Sequence, residues 1–453
     1  MTKLSEERLM TGHPSWGTAA VIGGSYSGLV AARVLADFFR EVIVIDRDPF
    51  DQNTGTHPGA PQAFHAHALL AKGGEILERL FPGLREELSE AGAPIFDYGQ
   101  GIDLLLPTGF APRKATGVKI QTFTRGELER CLRRRVLSRP EVRRLPSTTC
   151  TGLTWSSTGR ANGISCHSQE SGHFEVSADF IVDASGRSSS MENWLRSTGI
   201  IVPPAQTVRA KITYASTSFT RPQQSDSDHS DSYVAYEMLS APNTSRAGIL
   251  LAVENNQWAC SLFAFQEQPP NDSTGYLEFA ESLKHPRLAK QITRDTKEPI
   301  HRYTSIGNHW KSYHAIKDWP DRLIAIGDAV CAFNPVYGQG LTVAALEAEF
   351  LQKILSEQSR RNGLNAISRE FQKGLKKILT GPWRLSTGSD LMWSPESKPL
   401  ASRLANWYNS RVLHISTTDA SVWSKFVRVV NMVDSPSLLF HPMVILKVLT
   451  HRK

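Results

Sequence analysis

The chain has 453 residues, 40% hydrophobic and 21% charged, a balance that excludes a disordered or low-complexity protein and predicts two or three packed units. Its formal net charge of +7 is spread along the sequence without a long basic tract, so a nucleic-acid partner is not expected. Cys131, Cys150, Cys166, Cys260 and Cys331 form no CxxC pair and are odd in number, which fits reduced thiols in the cytoplasm rather than a disulfide framework.

The opening MTKLSEERLMTGHPSWG has no apolar signal core, and no apolar run in the chain reaches the roughly 18 residues of a bilayer span. A cytoplasmic protein without a transmembrane segment is therefore expected. Next comes AAVIGGSYSGLVAARVLADFFREVIVIDRD, residues 19–48, which reads as buried strand, tight turn, amphipathic helix and second buried strand. Gly23 permits the turn, beside Gly24, and Gly28 permits close packing of helix on sheet. Asp46 ends the second strand, ahead of Arg47 and about 20 residues after the glycines, where a carboxylate can hold a ribose. Ser25 stands at the middle glycine position, followed by Ser27. It narrows the approach to a pyrophosphate but adds a hydroxyl donor.

Gln62, His65 and His67 follow in a loop; the H-A-H pair is read as alternating faces, so at most one histidine is expected to point toward a bound ring. No third ligand with convincing spacing supports a metal site. TRGELE, residues 124–129, places Arg125 at a helix start, where a cation is unfavourable with the helix dipole unless it meets an anion; a surface salt bridge is the plainer reading. ADFIVDASGRSSSMENWL, residues 178–195, is another apolar strand, ending in Asp183 and a turn at Gly186.

Between 200 and 300, KITYAST, SYVAYEML, AGILLAV and QWACSLFAF alternate apolar and polar residues as half-buried antiparallel strands do, which predicts a substrate-covering sheet. RPQQSDSDHSDS, residues 221–232, reads as a surface loop. RLIAI then leads into GDAVCAFNPVYGQG, residues 327–340, and the helical pattern LTVAALEAEFLQKIL. Gly327 and Asp328 end a strand, where Asp328 can accept a ribityl or ribose hydroxyl. Gly338 and Gly340 let the amides at the following helix start approach a phosphate or an electron-rich ring oxygen. Cys331, inside this turn, reads as a small buried filler rather than a redox group. From 365 the pattern is mainly helical. The tail SLLFHPMVILKVLTHRK, residues 437–453, is apolar with a basic end; packing on the body is expected, with weak membrane-surface contact as the second reading.

Taken together, the 19–48 unit, Arg125 before a helix, the DASG turn and the GD turn followed by P-x-x-G-x-G resemble, in kind and order, the flavoprotein monooxygenases of the glutathione-reductase-like, p-hydroxybenzoate hydroxylase-like superfamily. The wording of PGAPQAFHAHALLAKGGEILERLFPGL, residues 58–84, and of NPVYGQG is similar to bacterial FAD-dependent epoxidases of polyether and polyene biosynthesis. The resemblance implies an α/β fold: a Rossmann-like FAD-binding domain from 17–75, 116–200 and 300–360, interleaved with an antiparallel β-sheet substrate domain from 76–115 and 201–299. A C-terminal helical region, 361–453, completes it.

It further implies that Arg125 contacts FAD, that Asp328 meets its ribityl or phosphate region, and that Pro335, Val336, Tyr337, Gly338, Gln339, Gly340 and Leu341 run along the isoalloxazine. Reduced flavin and O2 would give a C4a-hydroperoxide that transfers one oxygen to a hydrophobic secondary metabolite, by alkene epoxidation or hydroxylation. Such a site needs water exclusion and placement more than a strong base, so no catalytic side chain is assigned.

Two departures bear on the electron source and on analogy. Ala184, Ser185 and Gly186, with Glu192 and Asn193 downstream, replace the A-D-G turn and later arginine of hydroxylases that use NADPH directly. Reduction by NAD(P)H or by a partner flavin reductase both remain open, and slow intrinsic NADPH oxidation is expected. Cys331 and Leu341 replace a histidine and an asparagine common in aromatic hydroxylases, so their residue roles do not transfer. A halogenase relative lacks support because Trp310, Trp319 and Trp383 stand alone, without WxWxIP. A prenyl-chain reductase or a non-catalytic flavin-binding protein would carry the same cofactor motifs; stoichiometric O2 uptake separates both from an oxygenase.

Overall fold

A computed structural model describes residues 16–49, 64–67, 69–221, 232–292, 299–304, 307–360, 363–393 and 400–451. The first 15 residues, Gln62 and residues 222–231 of the polar stretch lie outside the described residues. The apolar runs read as buried strands lie side by side and parallel, in the order Leu323–Ala325, Phe180–Asp183, Trp16–Ile22, Phe39–Ile45, Val142–Leu145. Their register pairs Ile22 with Asp183 and Ile45, and Asp183 with Ala325. The carboxyl ends of four strands are therefore level, and their turns meet on one edge, where ligands of open parallel sheets bind.

Close packing is what the glycines permit. Gly23 has φ +106°, and a Cβ there would lie 2.5 Å from the Ala184 carbonyl oxygen of the neighbouring turn. A Cβ on Gly28 would overlap the Gly23 carbonyl oxygen, so helix Tyr26–Leu35 can sit against the strand only without that atom. Val21, Leu29, Val42, Ile181, Ile324 and Leu351 are fully buried in the resulting core. Each contributes about 1.5–3 kcal/mol by leaving water.

A seven-stranded sheet follows the order His301–Thr304, Ile212–Thr220, Gln257–Phe265, Arg246–Val253, Val234–Glu237, Ile102–Leu106, Gly109–Phe110. Sequence alternation predicts half-buried antiparallel strands here, and the structure corrects that in two respects. Val234–Glu237 pairs in parallel with Ile102–Leu106, while the other pairings are antiparallel. Both faces are covered. Helices Ser273–Glu281 and Pro286–Gln291 press Tyr276, Phe279 and Leu288 onto Leu250 and Leu262 on one side. Tyr214, Tyr236, Ile249 and Phe263 face a large cavity on the other.

Two segments fall across the divisions expected from sequence. Helices Ala71–Leu80 and Leu84–Glu90 place Ile76, Leu77, Leu80, Leu84 and Leu88 in the first core, and His301–Thr304 is an edge strand of the seven-stranded sheet. The GD turn also contains a two-residue strand, Cys331–Ala332, pairing with Asn308–Trp310. Cys331 is buried, with its thiol pushed well above the usual range by burial. Helix Ile367–Leu391 buries Phe371, Leu375, Leu379 and Trp383 in the first core, while Trp423 and Val427 of helix Ala420–Val430 pack on Leu104, Leu106 and Val234. The C-terminal helices thus close the angle between the two sheets.

Candidate active site

The glycine turns and the inner face of the seven-stranded sheet bound a single cavity of about 1830 Å³. Pockets for one small ligand usually span about 300–1,000 Å³, so this one has room for a dinucleotide and a second molecule. Gly23, Ser25, Ser27, Asp46, Arg47, His65, Arg125, Gly186, Asp328, Pro335, Gly338, Gln339, Gly340 and Leu341 line it. Gly24, Gly28, Asp183 and Gly327 do not reach the wall. Asp183 is fully buried, and its carboxylate accepts hydrogen bonds from the Ser185 amide at 3.0 Å and from the Ser185 and Ser189 hydroxyls at 2.5 Å. That correction has a simple cause: the carboxylate shapes its own turn and has no free face. Gly327 likewise supports the turn, its amide donating to Glu347 Oε2 at 2.6 Å.

Asp46 accepts the Gly24 amide on one oxygen and the Asp48 amide on the other, the latter at 2.8 Å. Its carboxylate is thereby oriented at the strand end with lone pairs remaining for a hydroxyl. The expectation that the Ser25 hydroxyl serves as a donor to a pyrophosphate is also corrected. That hydroxyl donates to Glu129 Oε1 at 2.8 Å and accepts from Arg125 at 3.0 Å. Arg125 pairs with Glu129 at 2.7 Å, and Glu129 is buried. Thr124 caps helix Arg125–Leu137, accepting the Glu127 amide at 3.1 Å, while its own amide donates to Glu254 at 3.0 Å, at the end of a strand of the other sheet. The surface salt bridge weighed as the alternative is not what forms: the Arg125–Glu129 pair is largely buried, with side chains 12% and 1% exposed, and holds the guanidinium at the cavity wall beside the N-terminus of helix Tyr26–Leu35.

Both His65 and His67 line the cavity, against the expectation that at most one would; positions two apart share a face even in an extended chain, so alternation gave no ground for separating them. His65 Nδ1 lies 2.6 Å from the Ser216 hydroxyl, and His67 Nδ1 lies 2.7 Å from the His65 carbonyl oxygen. Burial lowers His65 to about 4, aided by His301, and lowers His67 to about 3, aided by Arg125. Both are neutral rings at neutral pH. Among the described residues no group of three His, Cys, Asp or Glu could hold a metal ion.

At the opposite end, Asn334 caps the Pro335–Tyr337 turn and Gly338 takes φ +62°, which turns the chain into helix Gly340–Ser359. That 20-residue helix has no side-chain cap and no acidic residue in its first turn, so its positive end is uncompensated where Gly340 and Leu341 meet the cavity. The Gln339 Oε1 atom, in the same wall, is buried without a hydrogen-bond partner. Burial raises the Asp328 pKa, with Arg187 and Arg125 opposing. An electron-rich ring with polar edges and an anionic tail would satisfy these groups, and FAD fits them.

Two functional candidates, Arg187 and Tyr214, have no signal in the motif spacing, and Tyr337, named with its motif, has a partner that the motif does not reveal. Arg187 donates to the Gly307 carbonyl at 2.9 Å and to the Phe333 carbonyl at 2.8 Å, holding the GD loop while lining the cavity. Its place directly after Gly186 is the one local sign of it, since the arginine of the family pattern is expected further downstream. Tyr214 and Tyr337, also in the wall, are joined through a buried network. The Tyr214 hydroxyl donates to Asn334 Oδ1 at 2.7 Å, the Asn334 amide donates to Asp390 at 3.1 Å, and the Tyr337 hydroxyl donates to Asp390 at 2.7 Å. Burial raises the pKa of Asp390 and of both tyrosines.

Residues 17–372 match the family model described as "FAD binding domain". The chain belongs to that family. It is a flavoprotein, and FAD is its cofactor. Protein Rv3254 of Mycobacterium tuberculosis (strain ATCC 25618 / H37Rv) is 28% identical over 441 residues, covering 92% of this chain and 90% of that protein. Two solved structures share the fold. The flavin-dependent brominase Bmp2 has TM-score 0.63 and 12% identity, with 91% of this chain and 92% of that one covered. The p-nitrophenol 4-monooxygenase PnpA from Pseudomonas putida DLL-E4 has TM-score 0.63 and 14% identity, with 91% and 97% covered.

Proposed function

We propose that this FAD-dependent enzyme inserts one oxygen atom from O2 into a hydrophobic, electron-rich small molecule, by alkene epoxidation or hydroxylation of a secondary metabolite. The observation that carries this reading is the continuity of the cavity, from the glycine turns that suit a dinucleotide to an apolar sheet face that suits a lipophilic second molecule. FAD, once reduced, supplies the activation of dioxygen.

The chain's own residues supply placement. Asp46 and Arg47 hold the ribose end, and Arg125, with the amides after Gly23, faces the pyrophosphate. The uncompensated start of helix Gly340–Ser359 stabilises negative charge on the ring. Val234, Ile249, Leu251 and Phe263 keep water from the space beside it, and reactive species last longer in a dry site. Tyr214 and Tyr337 keep their protons through burial and donate them to Asn334 and Asp390, which fixes both rings in the wall; toward a substrate their oxygens can accept a hydrogen bond without ionising.

Electrons come from NAD(P)H directly or from a separate flavin reductase. The missing A-D-G turn favours the second source, with slow NADPH oxidation by the protein alone; rapid bleaching of its flavin by NADPH without a reductase would contradict this. The deciding experiment supplies reduced flavin and candidate polyenes under O2. A product heavier by one oxygen atom, with stoichiometric O2 uptake, is expected. Turnover without O2 consumption would overturn the proposal in favour of a reductase.

A further inference from the structure

The C-terminal helices carry a surface that the proposed reaction does not use. Of thirteen large hydrophobic side chains that are exposed among the described residues, nine lie between residues 385 and 449. Helix Leu400–Ser416 exposes Leu404 and Trp407, and the turn Pro436–Phe440 exposes Phe440. Helix Pro442–Thr450 is apolar on two sides. Its Val444 and Val448 are buried against Val412, Ile415 and Val422, while Met443, Leu446 and Leu449 are 56%, 58% and 68% exposed on the other side. A short helix that is apolar on two sides yet covered only on one has, among the described residues, no partner for its outer face.

These elements are tied together. Tyr408 stacks on Phe440 at 5.0 Å and donates to the Leu439 carbonyl at 2.6 Å. Arg411 lies over Trp407 at 5.7 Å and donates to the His451 carbonyl at 2.6 Å.

Charge indicates what covers the face. From residue 400 to 453 the sequence has seven Lys and Arg against two Asp and no Glu, which accounts for five of the chain's seven excess positive charges. Both aspartates are already engaged, Asp419 by Lys447 and Asp434 by Arg428. A second copy of the same surface would bring like charges together, whereas an anionic lipid surface would meet them with opposite charge. The site cavity also reaches the surface here. Phe440, 57% exposed, and Leu385, 49% exposed, are part of its wall, as are Asn409 and Pro436.

We propose that the helices Leu400–Ser416 and Pro442–Thr450 dock the protein on an anionic lipid bilayer surface. The apolar side chains enter the acyl boundary, and the cavity mouth beside Phe440 opens toward the lipid, from which a lipophilic molecule can enter. No helix among the described residues is long and apolar enough to cross a membrane, so the contact is one of lying on the surface.

Flotation of the FAD-loaded protein with vesicles tests this independently of turnover, so its failure would leave the oxygenase reading untouched. Vesicles of phosphatidylcholine with about a third phosphatidylglycerol should carry the protein upward, and phosphatidylcholine alone should carry much less. Leu446→Glu together with Leu449→Glu should cut binding on the order of tenfold or more, with the flavin absorbance unchanged as a check on folding. Arg403→Glu, on an exposed position, should weaken binding only to the anionic vesicles. Absence of flotation on either vesicle, or flotation indifferent to these substitutions, would overturn the proposal. So would a concentration-dependent dimer in sedimentation that the Leu446 and Leu449 changes dissolve while vesicles go unbound.

Discussion

The two oxygens of Asp46 each hold a backbone amide, one on either side of the strand end, so the side chain is aimed before any ligand arrives. Asp46→Ala removes that acceptor and frees the Gly24 turn. FAD affinity should fall by about tenfold or more, the loss of roughly 1–3 kcal/mol expected for a hydrogen-bonded charged group, read by flavin fluorescence titration. Glu347 poses a different residue-scale question. Its carboxyl is fully buried against the Gly327 amide, and burial raises its pKa from 4.5 to about 8. The native state therefore keeps a proton that the unfolded chain releases above about 4.5. That contribution to stability is whole below 4.5 and is lost as pH rises through about 8. His65 acts on the other limb. With a native pKa of about 4 against 6.5, its neutral state favours folding above 6.5 and loses that contribution as pH falls through 4. Glu347→Gln should flatten the alkaline fall in urea midpoint and leave the acid limb in place.

At the scale of elements, the strand, turn and helix units around Gly23, Gly186 and Gly327 were legible because their signals are local: an apolar run, a glycine where φ is positive, then a helical period. The helix at Tyr26 depends on one missing atom. Gly28→Val drives a branched side chain into the Gly23 carbonyl, and a loss of more than about 3 kcal/mol is expected, seen as insoluble or flavin-free protein. Gly388→Ala is the contrasting case. It sits inside helix Ile367–Leu391 with nothing within 4 Å of the added Cβ, so urea unfolding should show a gain of about 0.5–1 kcal/mol. Alternation misjudged the seven-stranded sheet for a related reason. Period 2 separates the two faces, but it does not say that helices Ser273–Glu281 and Pro286–Gln291 will cover the second one. The histidine pair misled for a different reason: period 2 puts positions two apart on one face, so it never separated His65 from His67.

For the whole molecule, substrate choice belongs to the cavity wall that the seven-stranded sheet and the C-terminal helices build together. Phe263→Ala should enlarge that wall without touching the glycine turns. FAD affinity should stay within about twofold, while preference shifts toward bulkier substrates by the 10- to 200-fold scale typical of hydrophobic pocket changes, measured as kcat/KM across a substrate series. The cofactor side was readable from the chain alone: four ordered glycine-turn or arginine motifs, Asp46 after its strand, and Asp328 before its turn depend on backbone rules that act over a few residues. Only tertiary structure decided the rest. Tyr337 meets Asp390 across 53 residues, Thr124 meets Glu254 across 130, and the outward faces of Met443 and Leu446 are known only once Val444 and Val448 have found their partners. Such contacts arise from how amphipathic faces choose one another during packing, and a sequence records the faces without recording the choice.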